Sequence, residues 1–190
     1  MKPHIIYIKN MVCNRCIMAV DSVFKEAGFT PVKISLGEVG LDTEPDHATM
    51  DAIGKKLNSL GFELIDDHKS QVIEKIKNIV IRLVHYTEGE QKENYSSVIE
   101  SEIGRDYTYL SNLFSSVVGV TIEKYIIAQK IERVKELLVY HELTLSEIAY
   151  QMGYSSVAHL SNQFKKVTGL TPSHFREIGA SRRRPLDQVK

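Results

Sequence analysis

Over the first 65 residues apolar positions come in short β-branched runs separated by stretches of helical spacing. Ile5-Ile6-Tyr7-Ile8 reads as a strand, Ile17 to Ala27 as an amphipathic helix stopped by Gly28, and Thr30 to Ser35 and Glu38 to Asp42 as strands around Leu36-Gly37. His47 to Leu60 reads as a second helix stopped by Gly61, and Phe62 to Ile65 as a last strand. The order βαββαβ predicts an α+β ferredoxin-like unit. The pattern then changes. Val72, Ile73, Ile76, Ile79, Val80 and Leu83 mark a helix, Thr87 to Asn94 is polar and reads as a loop, and Thr121 to Tyr140 is free of Gly and Pro. In that last stretch Ile122, Ile126, Ile131, Val134, Leu137 and Leu138 recur at helical spacing. The expected organisation is a ferredoxin-like domain over residues 1–67, an all-α domain over 68–180, and a basic tail over 181–190. The boundary is expected near Asp66-Asp67-His68, with no flexible Gly/Ser linker.

The C-terminal half predicts a helix-turn-helix. Thr144-Leu145-Ser146-Glu147 has capping-box spacing, Leu145, Ile148, Ala149 and Met152 share one face, and Gly153 suits the left-handed stop. Tyr154-Ser155-Ser156 restarts the chain with a serine available as cap. The next helix is expected to turn Leu160, Phe164 and Val167 inward and to present Ser161, Asn162, Gln163, Lys165 and Lys166 outward, donors suited to base edges and phosphates. Gly169 stops it, and Thr171-Pro172 opens a short capped helix. On spacing alone, a plain helical hairpin with solvated lysines remains open beside a module that reads the major groove.

The residues themselves carry a resemblance. Ser146-Glu147-Ile148-Ala149, Met152-Gly153-Tyr154-Ser155-Ser156, His159-Leu160-Ser161, Gln163-Phe164-Lys165-Lys166 and Gly169-Leu170-Thr171-Pro172-Ser173, followed by Phe175-Arg176, resemble the C-terminal signature of AraC/XylS-type transcription regulators. That family joins two helix-turn-helix units by a long helix, so the resemblance implies a DNA-binding regulator with Thr121 to Tyr140 as the connector. Asp106 to Phe114 then resembles the first recognition helix, with Leu110 and Phe114 in the slots of Leu160 and Phe164. Carried over by position, the base-edge candidates are Thr108, Ser111 and Asn112 in the first unit and Val157, Ala158, Ser161 and Asn162 in the second, with Lys165 and Lys166 toward phosphate. The first unit departs from the pattern. Glu100 stands where a small apolar residue is usual, and Ser115-Ser116 replace the basic pair. A buried carboxylate there would be costly, so Glu100 is expected to find a partner or the register to differ.

Charge agrees with that asymmetry. The chain balances 24 basic against 24 acidic side chains, which argues against indiscriminate polyanion binding. Residues 1–68 hold 7 basic and 10 acidic side chains, 69–140 hold 10 of each, and 141–190 hold 7 against 4. Arg182-Arg183-Arg184 reads as a solubilising end or a phosphate-seeking tail.

In the N-terminal unit the informative run is Met11-Val12-Cys13-Asn14-Arg15-Cys16, which contains the only two cysteines. Two thiolates at this spacing, ahead of a helix, can reach one soft metal ion. With Met11 two before Cys13 the run resembles the MxCxxC loop of heavy-metal-associated domains, the ferredoxin-like modules of copper chaperones and P-type ATPases. Phe62 after Gly61 adds to that resemblance, while Asn10 and Val12 replace its usual glycine and threonine. The resemblance implies Cys13 and Cys16 as ligands, with Cu(I) favoured by softness and Zn(II) requiring further ligands or a second subunit. His4 is read as a solvated strand-end residue rather than a ligand. Two other readings of the pair stay open: reduced cysteines kept for packing, and a redox dithiol. The partners implied are double-stranded DNA and a soft metal ion, with a second copy of the chain as a further candidate.

No HExxH, GxSxG or glycine-rich phosphate loop occurs, so no enzyme is expected. No signal-like segment or run near the ~20 apolar residues of a membrane span occurs. A cytoplasmic location is expected, where both cysteines stay reduced. The competing reading is a metallochaperone-like protein whose helical half serves protein contacts.

Overall fold

The computed structural model describes residues 3–65, 67–87, 94–140 and 142–178. The expected loop residues 88–93, the tail over 181–190 with Arg182 to Arg184, and Asp66 lie outside the described residues. The chain divides into two compact units, residues 1–78 and 79–190.

In the first unit β1 (His4–Lys9), α1 (Asn14–Glu26), β2 (Lys33–Ser35), β3 (Glu38–Leu41), α2 (His47–Ser59) and β4 (Glu63–Leu64) follow in that order. The four strands form one sheet, ordered β2-β3-β1-β4, with every neighbouring pair antiparallel. In β1, Ile6 and Ile8 point into a core with Met11, Val20, Phe24, Val39, Ile53 and Leu57. β2 is shorter than the expected Thr30 to Ser35, because Pro31 has no N–H for the ladder. α1 begins three residues before the expected Ile17, since the Cys13 carbonyl accepts from both Cys16 N and Ile17 N and winds the CxxC segment into the first turn.

α3 (His68–Ile81) opens at Asp67, whose carboxylate accepts from Ser70 N at 2.9 Å. Its residues up to Asn78 belong to the first unit, eleven residues past the expected boundary, and the bonds they make give the reason. Lys75 Nζ is 2.9 Å from Glu38 and 5.0 Å from the centre of the Tyr7 ring, Asn78 Nδ2 donates to Leu36 O, and Glu74 Oε1 accepts from Asn10 N at 3.1 Å. Gly37 has φ +83°, and a Cβ there would lie 2.1 Å from Asn78 Nδ2, so the turn needs glycine both for its backbone conformation and for the close approach of the Asn78 amide.

In the second unit a wider π turn, Arg82–Tyr86, follows α3. It buries Val84 and His85 and leaves Leu83 only half-buried. Then come α4 (Tyr95–Ile103), α5 (Tyr107–Val118), α6 (Ile122–Tyr140), α7 (Leu145–Gln151), α8 (Val157–Thr168) and α9 (Pro172–Ile178). α4 with α5 and α7 with α8 are the two helix-turn-helix units, and α6 joins them. Ile122, Ile126, Ile131, Val134, Leu137 and Leu138 of α6 are all buried. Ring contacts tie α6 and α9 to α5 and α8: Phe114 meets Tyr125 at 5.5 Å, and Phe164 meets Phe175 at 5.5 Å. Val167 does not join this core. It is 40% exposed, because the last turn of α8 runs past the aromatic seam.

α6 also buries polar groups. His85 Nε2 is 3.0 Å from Gln129 Oε1, and Gln129 Nε2 donates to the Tyr125 hydroxyl at 3.0 Å. Burial holds the His85 imidazole below its ordinary pKa, against the opposing pull of Gln129. As pH falls the unfolded chain therefore takes up this proton first, and the His85 contribution to stability, present above about pH 6.5, is lost below it. The urea midpoint should fall on acidification through that range, and His85→Asn should flatten the slope. An unchanged slope in the variant would place the titrating group elsewhere.

Candidate nucleic-acid interface

The second helix-turn-helix is built from local capping. Glu147 N donates to Thr144 Oγ1, while Thr144 N and its hydroxyl donate to Glu147 Oε2, each at 2.7 Å. These bonds hold the Glu147 carboxyl below its usual pKa. α7 stops where Gly153 takes φ +68° and Tyr154 N donates to Ala149 O. Ser156 caps α8, accepting from His159 N at 3.1 Å. The turn is pinned to α6 by Lys130, which donates to Met152 O at 2.9 Å and lies 5.4 and 5.5 Å from the Tyr95 and Tyr154 ring centres. Burial lowers the Lys130 pKa. Helical periodicity carries no signal of this clamp, because three elements supply its parts.

α8 buries Leu160 and Phe164 and leaves Ala158, His159, Asn162, Lys165 and Lys166 exposed. Val157 and Ser161 are half-buried beside the seam. Gln163 is half-buried too, and its Oε1 accepts from the Tyr154 hydroxyl at 2.6 Å. At about 100° of rotation per residue, Ala158 and Asn162 stand opposite the Leu160-Phe164 seam. Lys165 falls on one flank, and His159 and Lys166 on the other. A helix lying in a major groove turns such a centre toward base edges and such flanks toward the two phosphate strands.

The first unit repeats this arrangement with different chemistry. Asp106 caps α5, accepting from Tyr109 N at 3.1 Å, and Leu110 and Phe114 are buried. Thr108 and Asn112 are exposed on its outer side and Ser111 is half-buried. Ser115 and Ser116 stand where α8 has lysines. The Tyr107 hydroxyl donates to Glu123 at 2.7 Å, so that phenol is engaged at the start of α6; burial, then Glu123, raise its pKa. Glu100 takes the first of its two expected outcomes. It is exposed, and its Oε1 accepts from Tyr107 N at 3.3 Å across the turn, so no carboxylate is packed between the helices.

Cys13 and Cys16 lie together in the first unit. Their sulfurs are 3.4 Å apart, with Cys13 at the N-cap of α1 and Cys16 packed against the core that buries Met11. Asn10, just before Met11, has φ +72°, a conformation asparagine tolerates better than most residues, and its Nδ2 donates to Gly61 O. Burial opposes the Cys13 thiolate, but hydrogen bonds from the Cys16 backbone and thiol, with the Arg15 backbone and charge, outweigh it and lower the Cys13 pKa. Burial pushes the Cys16 thiol up. His4 faces Glu44 at 3.8 Å. Among the described residues no group of three or more His, Cys, Asp or Glu side chains is placed to hold a metal.

A family model described as "Helix-turn-helix domain" matches residues 101–178. The Xylose operon regulatory protein of Escherichia coli K12 is 28% identical over 102 residues, covering 53% of this chain and 26% of that protein. The chain spans about a quarter or less of the length of the curated relatives it matches. Among solved structures, the C-terminal domain of AraT, a response regulator from Geobacillus stearothermophilus, matches with TM-score 0.50 at 21% identity, covering 61% of this chain and 93% of that one. A transcriptional regulator from Chromobacterium violaceum, described among AraC-type DNA-binding domain-containing proteins, matches with TM-score 0.51 at 22% identity, covering 61% of this chain and 99% of that one. No helix among the described residues is long and apolar enough to cross a membrane. The caps, glycine stops, aromatic seams and family match agree: residues 101–178 form a helix-turn-helix domain.

Proposed function

We propose that this chain is a cytoplasmic, sequence-specific DNA-binding transcription regulator that reads the major groove with α8 and α5. The outward face of α8 carries this reading. Asn162 stands opposite the buried seam with lysines on both flanks, which suits a base-reading centre between phosphate contacts. In α5, Thr108, Ser111 and Asn112 take the corresponding base-edge roles. In α8, Val157 and Ala158 contact thymine methyl groups, and Ser161 makes a lesser contact from the edge of the seam. The test is selection of duplexes from a random-sequence pool by the whole chain, followed by affinity measurements on selected and scrambled DNA. A ratio of about 10³ or more supports a specific regulator. A metallochaperone-like protein would show no salt-dependent, sequence-selective affinity.

A second reading concerns the N-terminal unit, taken as a ferredoxin-like domain of heavy-metal-associated kind. Its strand order and the 3.4 Å approach of two sulfurs at the start of α1 support this reading. The donor set fits a soft ion: when bound, Cu(I) would take both thiolates, whereas Zn(II) would need ligands from elsewhere, including a second copy of the chain. Cys13→Ser with Cys16→Ser should abolish stoichiometric Cu(I) binding by anaerobic protein while leaving the helical content intact. Full binding by the double variant would sink the assignment. If the metal regulates, loading should shift duplex affinity by the ~1 to 3 kcal/mol usual for allosteric coupling, and an unchanged affinity would leave a binding site without a sensor.

A further inference from the structure

We infer that His159 is a phosphate-contact residue, its Nε2–H donating to the DNA backbone on the strand that Lys166 also meets. The inference rests on the reading that α8 enters the major groove, and it assigns a role to a residue outside the base-edge and lysine set. The ring is exposed yet held. Its Nδ1 lies 3.1 Å from Ser155 Oγ, and it packs edge-on against Tyr154 at 5.3 Å and 87°. Tyr154 is itself fixed, by its hydroxyl on Gln163 and by Lys130 over its ring. Nε2 has no partner among the described residues. The Ser155 hydroxyl can donate to Nδ1, and a phosphate at Nε2 selects the tautomer that carries the ring proton there, so the imidazole offers that acceptor one outward donor whose orientation is set before any ligand arrives. A donor already ordered loses little side-chain entropy on binding.

Position selects the acceptor. His159 falls on the flank with Lys166, away from the Ala158-Asn162 centre, and flank donors on a groove-bound helix meet phosphates rather than base edges. α5 repeats the device. Tyr109, immediately before Leu110 as His159 is immediately before Leu160, is 49% exposed and offers a phenol donor at the equivalent place. The helix without lysines thus keeps a ring donor there.

The test uses the whole chain, a duplex recovered by it from a random-sequence pool, and copies of that duplex each carrying one methylphosphonate. His159→Phe, which keeps the ring on Tyr154, should weaken binding about tenfold on recovered and scrambled duplexes alike. One methylphosphonate that weakens the wild type by a similar factor should cost the variant nothing. His159→Leu, a different shape, should behave the same, and both should keep the wild-type melting temperature. Equal sensitivity of wild type and variants at every methylphosphonate position overturns the inference, as does unchanged affinity. Asn162→Ala and Lys166→Ala separate this failure from the larger one. If they weaken binding and His159→Phe does not, only the His159 role falls; if none of the three matters, α8 is not the reading helix.

Discussion

Replacing Glu132 by leucine is expected to cost the helical unit about 3 to 5 kcal/mol, the range for breaking a buried ion pair from one side. Glu132 and Lys135 meet at 2.6 Å on α6 with side chains 3% and 6% exposed. Lys135 also faces the Phe175 ring at 5.9 Å. Without Glu132 its ammonium stays in a site that water scarcely reaches, and the Phe175 ring replaces only part of the lost attraction. Glu132→Leu with Lys135→Leu should recover most of the loss, because two apolar side chains of similar volume carry no desolvation penalty. Urea titrations of the single and double variants decide the matter. A loss below about 1 kcal/mol in the single variant would mean that water reaches the pair. Phe175 is the partner of Phe164 under α8, so the single variant should also lose DNA affinity while the double variant regains it.

On DNA the two classes of α8 side chain should separate. Lys165→Ala and Lys166→Ala should each weaken binding to specific and scrambled duplexes alike and reduce the slope of log affinity against log salt by about one unit. Asn162→Ala should leave that slope in place and relax preference at one base pair by about 1 to 3 kcal/mol. Equivalent changes in α5, which presents Ser115 and Ser116, should barely alter the slope. Measurements across salt on both duplexes separate these outcomes. If the lysine variants lose selectivity while Asn162→Ala loses only salt-dependent affinity, the reading face is rotated from the one described.

Much of the second unit was legible locally. A cap needs its acceptor within three residues, and a left-handed stop needs a glycine. Thr144 with Glu147, Asp106, Ser156, Gly153 and Gly169 could therefore be read from their neighbours in sequence, and the structure places each in that role. The α6 stripe was legible for the same reason, since an uninterrupted helical period leaves one face to bury. Val167 shows the limit: periodicity states which side a residue faces, but not where the core ends.

What the chain determined by itself was the element order, the caps and stops, and the side-chain chemistry on the outer face of α8. The tertiary structure decided what depends on residues distant in sequence. It drew α3 to the first unit through Glu38, Leu36 and Asn10, and resolved the cost expected at Glu100 by exposing it to accept from Tyr107 N. It brought Lys130 between Tyr95 and Tyr154, buried His85 on Gln129, and fixed the His159 ring on Tyr154. Caps and helical faces are set by interactions within a turn or two of chain, whereas a clamp, a buried pair or a held ring exists only once separate elements have packed.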